Sequence, residues 1–242
     1  MSAIILDTET TGRGPGARPV EIAWLRLKDI ATLEVVEEFY SRYNPEKRID
    51  FGAMAIHHIT DADVRDCEPW TTFKLPEGTE YVIAHNVDFD IAVIGSPPVR
   101  RIDTLALARY CWPDMGETDS YSLGALLYAH APEVARATRA EHGHGARTDV
   151  RHCHIILAEI LLAIEAAQEQ ADARDERITD WRTLWRCSEA ARIPVVLPFG
   201  KHRGQRFADV PQDYLRWLLR QPDLDPYVRI AAEGNLRQGG LR

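Results

Sequence analysis

The chain predicts an α/β domain followed by a small C-terminal module. Short β-prone apolar runs alternate with helical stretches through the first two thirds of the sequence. A long run with helical spacing then begins near Thr148, and beyond a charged stretch a Gly-containing basic segment leads into a second amphipathic run. At 242 residues there is chain enough for one good α/β core and a remainder.

The elements follow in order. Residues 3–6 are apolar and run into acids and a Thr-Gly turn, so they read as a buried first strand that delivers Asp7 and Glu9. Residues 20–27 and 34–43 read as strands two and three of an antiparallel meander, with Ser2, residues 13–18, residues 28–31 and the Asn44-Pro45 pair as breaks. A short helix is expected over 51–57, and a further turn over 60–64 with Thr60 as its cap. Residues 81–84 form another buried strand, leading directly into His85 and Asn86. A helix over 89–94 ends at Gly95 and Pro97-Pro98; a strand end and helix occupy 101–109, and another helix 121–129. From Thr148, apolar Val150, Cys153, Ile156, Leu157, Ile160, Leu161 and Ile164 recur at helical spacing. The charged stretch 168–177 reads as a helix end or linker. The expected organisation is a main domain over 1–170, a connection over 171–192 and a small module over 193–242, with Tyr214, Trp217 and Leu218 in the module's core.

With 45% hydrophobic and 27% charged residues, the composition is that of an ordinary globular protein, and no apolar run reaches the roughly 18 residues of a membrane span. A cytoplasmic location is the default expectation. Cys67, Cys111, Cys153 and Cys187 lie far apart with no CxxC pair, which suits a reducing compartment better than a disulfide framework or a Cys-based zinc site. A net charge of −8 argues at first against a nucleic-acid partner. The charge is uneven, however: residues 180–242 hold eleven Lys and Arg against seven Asp and Glu, leaving 18 basic and 30 acidic residues before them. An acidic body is compatible with phosphate chemistry if divalent ions screen its carboxylates and local basic groups attract the phosphate. A merely solvated surface is the bland reading of the same asymmetry.

Asp7 and Glu9 stand at i and i+2, the spacing at which strand side chains share a face. Two acids there can hold Mg²⁺ or Mn²⁺, hard cations that prefer oxygen ligands. Alone the pattern is weak, because acids at a strand-to-loop junction are usually just solvated. Ala84-His85-Asn86-Val87-Asp88-Phe89-Asp90 adds a third carboxylate after an apolar strand, and His144-Gly145-Ala146-Arg147-Thr148-Asp149 a fourth where the long helix begins. His142, His144, His152 and His154 also allow a transition-metal reading, but no Cys pair or H-E-x-x-H accompanies them. His152 and His154 are more simply surface or packing residues of the helix.

These three segments, D-x-E, H-N-x-x-F-D and H-x-x-x-x-D in that order, resemble the motifs of the DEDD 3′→5′ exonucleases, in the branch whose last motif contains His. The resemblance implies a ribonuclease-H-like fold, an α/β mixed sheet flanked by helices. It implies Asp7, Glu9, Asp90 and Asp149 as catalytic ligands of two divalent cations, Mg²⁺ with Mn²⁺ as substitute, and His144 as general base. It also suggests substrate contacts from Thr10, Thr11 and Gly12, from His57 in the segment Met54-Ala55-Ile56-His57-His58-Ile59-Thr60, and from Asn86. Asp88 falls on a variable position.

The tail, F-G-K-x-R-G over 199–204 followed by Y-L-x-W-L over 214–218, is similar to that of a free-standing bacterial exodeoxyribonuclease branch of this family. Lys201 and Arg203, with His202 and Arg206, are its candidate phosphate contacts. The implied reaction is hydrolysis of phosphodiester bonds at DNA 3′ ends to nucleoside 5′-monophosphates, in repair or end processing. An exoribonuclease or a polymerase-associated proofreading exonuclease is the alternative within the family, so RNA is a second candidate partner. A non-catalytic nucleic-acid-binding protein is the alternative of another class. No membrane partner is expected, and no protein partner is indicated.

Overall fold

The computed structural model describes residues 2–115, 120–138, 145–170 and 177–239. Two compact units are present, Met1–Ser188 and Glu189–Arg242.

In the first unit, β1 (Ser2–Thr10), β2 (Pro19–Leu27), β3 (Val35–Arg42), β4 (Thr79–Ala84) and β5 (Arg100–Asp103) form one sheet in the order β3-β2-β1-β4-β5. β1, β2 and β3 are antiparallel neighbours, whereas β4 runs parallel to β1 and β5 parallel to β4. β1 is therefore the central strand, hydrogen-bonded on both sides. This is the mixed sheet that the motifs imply. Strand β1 starts at Ser2, which lies inside the ladder opposite Thr79 instead of breaking it. It also continues to Thr10, so Asp7 and Glu9 sit within a paired strand, opposite Ala23 and Glu21.

Both faces of the sheet are covered, which explains why β1 and β2 are buried almost throughout. On one face Ile4, Leu6, Ile22, Trp24, Val82 and Ala84 pack with Val87 and Ile91 of α3 (Val87–Val93). α1 (Phe51–His57) and α2 (Asp61–Val64) precede β4, and Thr60 caps α2 in a capping box in which the Asp63 carboxylate accepts the Thr60 amide at 2.7 Å. α4 (Thr104–Cys111) follows β5 with the Asp103 side chain as its N-cap. α5 (Leu123–His130) and α6 (Pro132–Thr138) then precede α7 (Ala146–Gln170). α7 packs against β1, β2, α4 and α5 through buried Val150, Cys153, Ile156, Leu157, Ile160 and Ile164, the residues that set its sequence period. Residues 171–176 of the expected linker lie outside the described residues; α8 (Trp181–Ala191) follows them.

The second unit has a core of its own: Leu197, Phe207, Val210, Leu215, Leu218, Val228, Ala231 and Ala232. Leu215 and Leu218 come from α9 (Gln212–Leu218), and Val228, Ala231 and Ala232 from α10 (Pro226–Gly239). The expected core membership of Trp217 is not met, since it is 46% exposed. Leu215 and Leu218, three residues apart, take the inward face of α9, and Trp217 falls outside that stripe.

Ile83 is fully buried in β4, so Ile83→Ala is expected to destabilise the first unit by about 2–5 kcal/mol, against a few tenths for Leu162→Ala at a 58% exposed site. Equal denaturation midpoints for the two variants would refute this placement of the core.

Candidate active site

The site is built where the carboxyl end of β1 meets the first turns of two helices. Asp7, Glu9 and Asp149, the last in the first turn of α7, each offer a carboxylate oxygen, and these oxygens all lie within 4.8 Å of one another. Asp90 of α3 is 4% exposed and accepts a 2.7 Å hydrogen bond from the Thr8 hydroxyl, which ties the helix to the strand. All four acids line one cleft of about 790 Å³, together with Thr10, Gly12, His57, His85 and Asn86. Arg13 also lines it, and is its one Lys or Arg among the described residues.

Burial and mutual repulsion dominate the electrostatics. Burial first, then the charges of Asp90, Asp149, Glu9 and Glu21, hold the Asp7 carboxyl well above the usual range. Burial, with Asp149, Glu21 and Asp90, lifts Glu9 from 4.5 to about 8. Asp90 is pushed up to about 7 by burial, against the Thr8 hydrogen bond, which favours its charged form. An all-oxygen donor set with this excess of negative charge fits hard divalent cations, which would remove the repulsion. The zinc alternative has no support from His152 and His154: His152 Nε2 lies 3.1 Å from the Thr138 hydroxyl, and His154 Nε2 donates to the Leu33 carbonyl at 2.8 Å. His144 and His142 lie outside the described residues.

The substrate candidates divide. Gly12 lies on the cleft wall, where a Cβ would fall on the Asp50 carboxylate and force that side chain to move. Thr10 is buried and donates its hydroxyl to the Gly12 carbonyl at 2.7 Å, fixing the same turn. Thr11 does not line the cleft: its side-chain oxygen accepts from the Arg18 amide at 3.1 Å. His57 has both ring nitrogens engaged. The Ile59 amide donates to Nδ1 at 3.0 Å, so Nε2 carries the proton and donates to the Thr10 carbonyl at 3.1 Å. Burial lowers its pKa, keeping the ring neutral. It therefore pins α1 to the end of β1, with both ring nitrogens already engaged. Asn86 is exposed on the cleft wall in the left-handed conformation (φ 74°), which Asn tolerates better than most residues. Asp88 faces solvent and pairs with Arg101 at 2.9 Å. Lys201 and Arg203 belong to the second unit, exposed in the turn before Gly204.

Glu21 is a site residue that the motifs do not reveal. It stands directly across β1–β2 from Glu9, a like-charge pair that would ordinarily destabilise a sheet. It is 4% exposed, and one oxygen accepts from the Tyr40 hydroxyl at 2.8 Å and from Arg42 at 3.3 Å. The other accepts the Ala146 amide at 2.9 Å, the first residue of α7. Glu21 thus anchors the helix that carries Asp149. The available signal was an acid near the start of a mostly apolar strand, PVEIAWLRL.

Comparison with known proteins agrees with this geometry. A family model described as "Exonuclease" matches residues 4–157, and one described as "Putative quorum-sensing-regulated virulence factor" matches 191–223. Exodeoxyribonuclease 10 of Escherichia coli (strain K12) is 32% identical over 93% of this chain and 94% of its own. DNA polymerase III subunit epsilon of Rickettsia typhi (strain ATCC VR-144 / Wilmington) is 26% identical over 80% of this chain and 87% of its own. Among solved structures, exonuclease X in complex with 5′ overhanging duplex DNA superposes with a TM-score of 0.50 at 27% identity, over 75% of this chain and 99% of that one. The chain belongs to the exonuclease family, and within it to the 3′→5′ exonucleases of the exodeoxyribonuclease 10 type, hydrolases that depend on divalent metal ions.

The raised carboxyl values set a sign for pH. A folded state that holds protons more tightly than the unfolded chain is penalised as pH rises from the ordinary carboxyl range to above about 8, where Glu9 is charged. Metal-free protein is therefore expected to melt progressively earlier across that window. Mg²⁺ or Mn²⁺, competing with the same protons, should raise Tm more at pH 8.5 than at pH 6. Thermal melts with EDTA and with each cation check this, and a metal-induced shift independent of pH would count against it.

Proposed function

We propose that the chain removes nucleotides one at a time from DNA 3′ ends, with Asp7, Glu9, Asp90 and Asp149 holding two Mg²⁺ ions, for which Mn²⁺ can substitute. The observation that carries this reading is the close approach of the Asp7, Glu9 and Asp149 oxygens in a cleft also lined by Asp90. When bound, the cations would supply the positive charge that activates water and offsets negative charge on the phosphate. The protein's part is to hold acceptors in place before substrate arrives. Thr8 orients Asp90, and Glu21 fixes the start of α7 and with it Asp149. His144 is assigned as general base, taking the proton of the attacking water; an unperturbed pKa of roughly 6.5 suits the task. In the sequence it stands two positions before Ala146, whose amide Glu21 accepts.

The Thr10–Gly12 turn and Asn86 are the wall against which the terminal nucleotide would lie, with Phe89 and Ile56 offering apolar surface to its base. DNA is favoured over RNA because the relative that matches over nearly the full chain is named an exodeoxyribonuclease. A role in DNA repair or end processing and a cytoplasmic location follow the same analogy. Among the described residues no helix is long and apolar enough to cross a membrane.

Release of mononucleotides from 3′-labelled single-stranded DNA with Mg²⁺ tests the assignment. Asp7→Ala and EDTA are expected to reduce release to background, and His144→Ala to lower kcat by ~10²–10⁴-fold. Loss from the 5′ end, full activity of Asp7→Ala, or preference for a matched RNA would each overturn the corresponding part.

A further inference from the structure

The second unit carries a feature that its core explains only in part, since of the three rings involved Tyr214 alone packs against that core. His202, Tyr214 and Trp217 form a run of rings: the His202 and Tyr214 centroids lie 4.7 Å apart at 71°, and those of Tyr214 and Trp217 5.2 Å apart at 39°. Trp217 is 46% exposed although a buried position lay one residue away at Leu218, so its large apolar ring is presented to solvent at a hydrophobic cost.

The rings are fixed to a cationic turn. Gly200 has φ 76°, and a Cβ there would meet the Tyr214 hydroxyl at 2.5 Å, so the turn lies directly against α9. His202 Nδ1 is 2.9 Å from Gln205 Oε1, which orients the imidazole against Tyr214. Lys201 and Arg203 flank His202 and are exposed, with no side-chain hydrogen bond or ion pair among the described residues. The acid nearest in sequence to Tyr214, Asp213, is paired with Arg216 at 3.0 Å. Residues Glu189–Arg242 hold nine Lys and Arg against six Asp and Glu, in a chain whose net charge is −8. Aromatic faces beside unpaired cations match an unpaired polynucleotide, whose bases stack while its phosphates meet the positive groups. A peptide partner would not call for this concentration of positive charge, and a closed duplex offers no free base face.

We propose that His202, Tyr214 and Trp217 of the second unit form a base-stacking platform for single-stranded nucleic acid, flanked by Lys201 and Arg203. It rests on the nucleic-acid reading of the chain but not on its hydrolytic chemistry.

The test is fluorescence anisotropy with the full chain in EDTA, which stops hydrolysis, using 5′-fluorescein-labelled dT20 and an abasic strand of the same length. Trp217→Ala is expected to weaken dT20 binding ~10-fold with an unchanged salt slope, and Trp217→Phe to retain most of it. Lys201→Ala with Arg203→Ala should weaken binding and flatten the salt slope. The wild type should bind the abasic strand about as weakly as Trp217→Ala binds dT20. Hydrolysis of a chromogenic thymidine 5′-phosphate ester should be the same for wild type and Trp217→Ala. Wild-type affinity in Trp217→Ala, equal affinity for dT20 and the abasic strand, or no wild-type binding would overturn the platform. Failure of the exonuclease reading would appear only in the hydrolysis assays.

Discussion

Mutual repulsion of carboxylates in a place where water cannot screen them is the constraint around which the first unit is organised. Asp7, Glu9, Asp90 and Asp149 would relax apart if the backbone allowed it, and each is denied that movement differently. β1 is clamped between β2 and β4 up to Ile5 and stays paired with β2 through Asp7 and Glu9, which limits their retreat. α3 is drawn back by Thr8 through Asp90, and α7 by Glu21 through the Ala146 amide. The apolar packing of both helices supplies the free energy that offsets the repulsion. Such strain is tolerable because divalent cations reverse its sign, converting a destabilised cluster into a binding site.

Glu21 shows how finely that balance is set. Placing another acid opposite Glu9 worsens the electrostatics and contributes to the upward shifts of Glu9 and Asp7. Yet its two oxygens are saturated by Tyr40, Arg42 and Ala146, so it is far less available to a cation than its neighbours. One acid thereby fixes a helix while the four others line the cleft as the proposed ligands. The distinction lies in hydrogen-bond saturation, since all five are partly or fully buried.

How much of this was legible follows from how local each signal is. Asp7 and Glu9 could be read from strand period, Asp90 and Asp149 from the residues around them, and α7 from its apolar repeat, because each depends on a few neighbours in sequence. The sheet order was not readable from period alone, since β4 joins β1 by a crossover and the motifs had to supply the topology. Glu21 was hidden because its meaning depends on Ala146, 125 positions away. Thr8 was passed over as the variable residue of D-x-E, though its hydroxyl reaches across 82 positions to Asp90. Trp217 was misplaced for the opposite reason: aromatic type suggested core, while the phase of α9, set by Leu215 and Leu218, excluded it.

The charge distribution gives these two units complementary tasks. Residues Met1–Ser188 hold 20 basic and 31 acidic residues, so long-range attraction for a polyanion cannot originate in that unit as a whole. The cleft becomes attractive only over short distances, where bound cations offset its acids. The second unit, net positive and with its own core, carries the proposed phosphate contacts Lys201 and Arg203. Moving the same Lys and Arg side chains into the cleft would pair them with Asp7 or Glu9 and lower metal affinity. On the proposed reading the phosphates therefore meet two kinds of positive charge, ions held by the cleft's carboxylates and fixed side chains of the second unit.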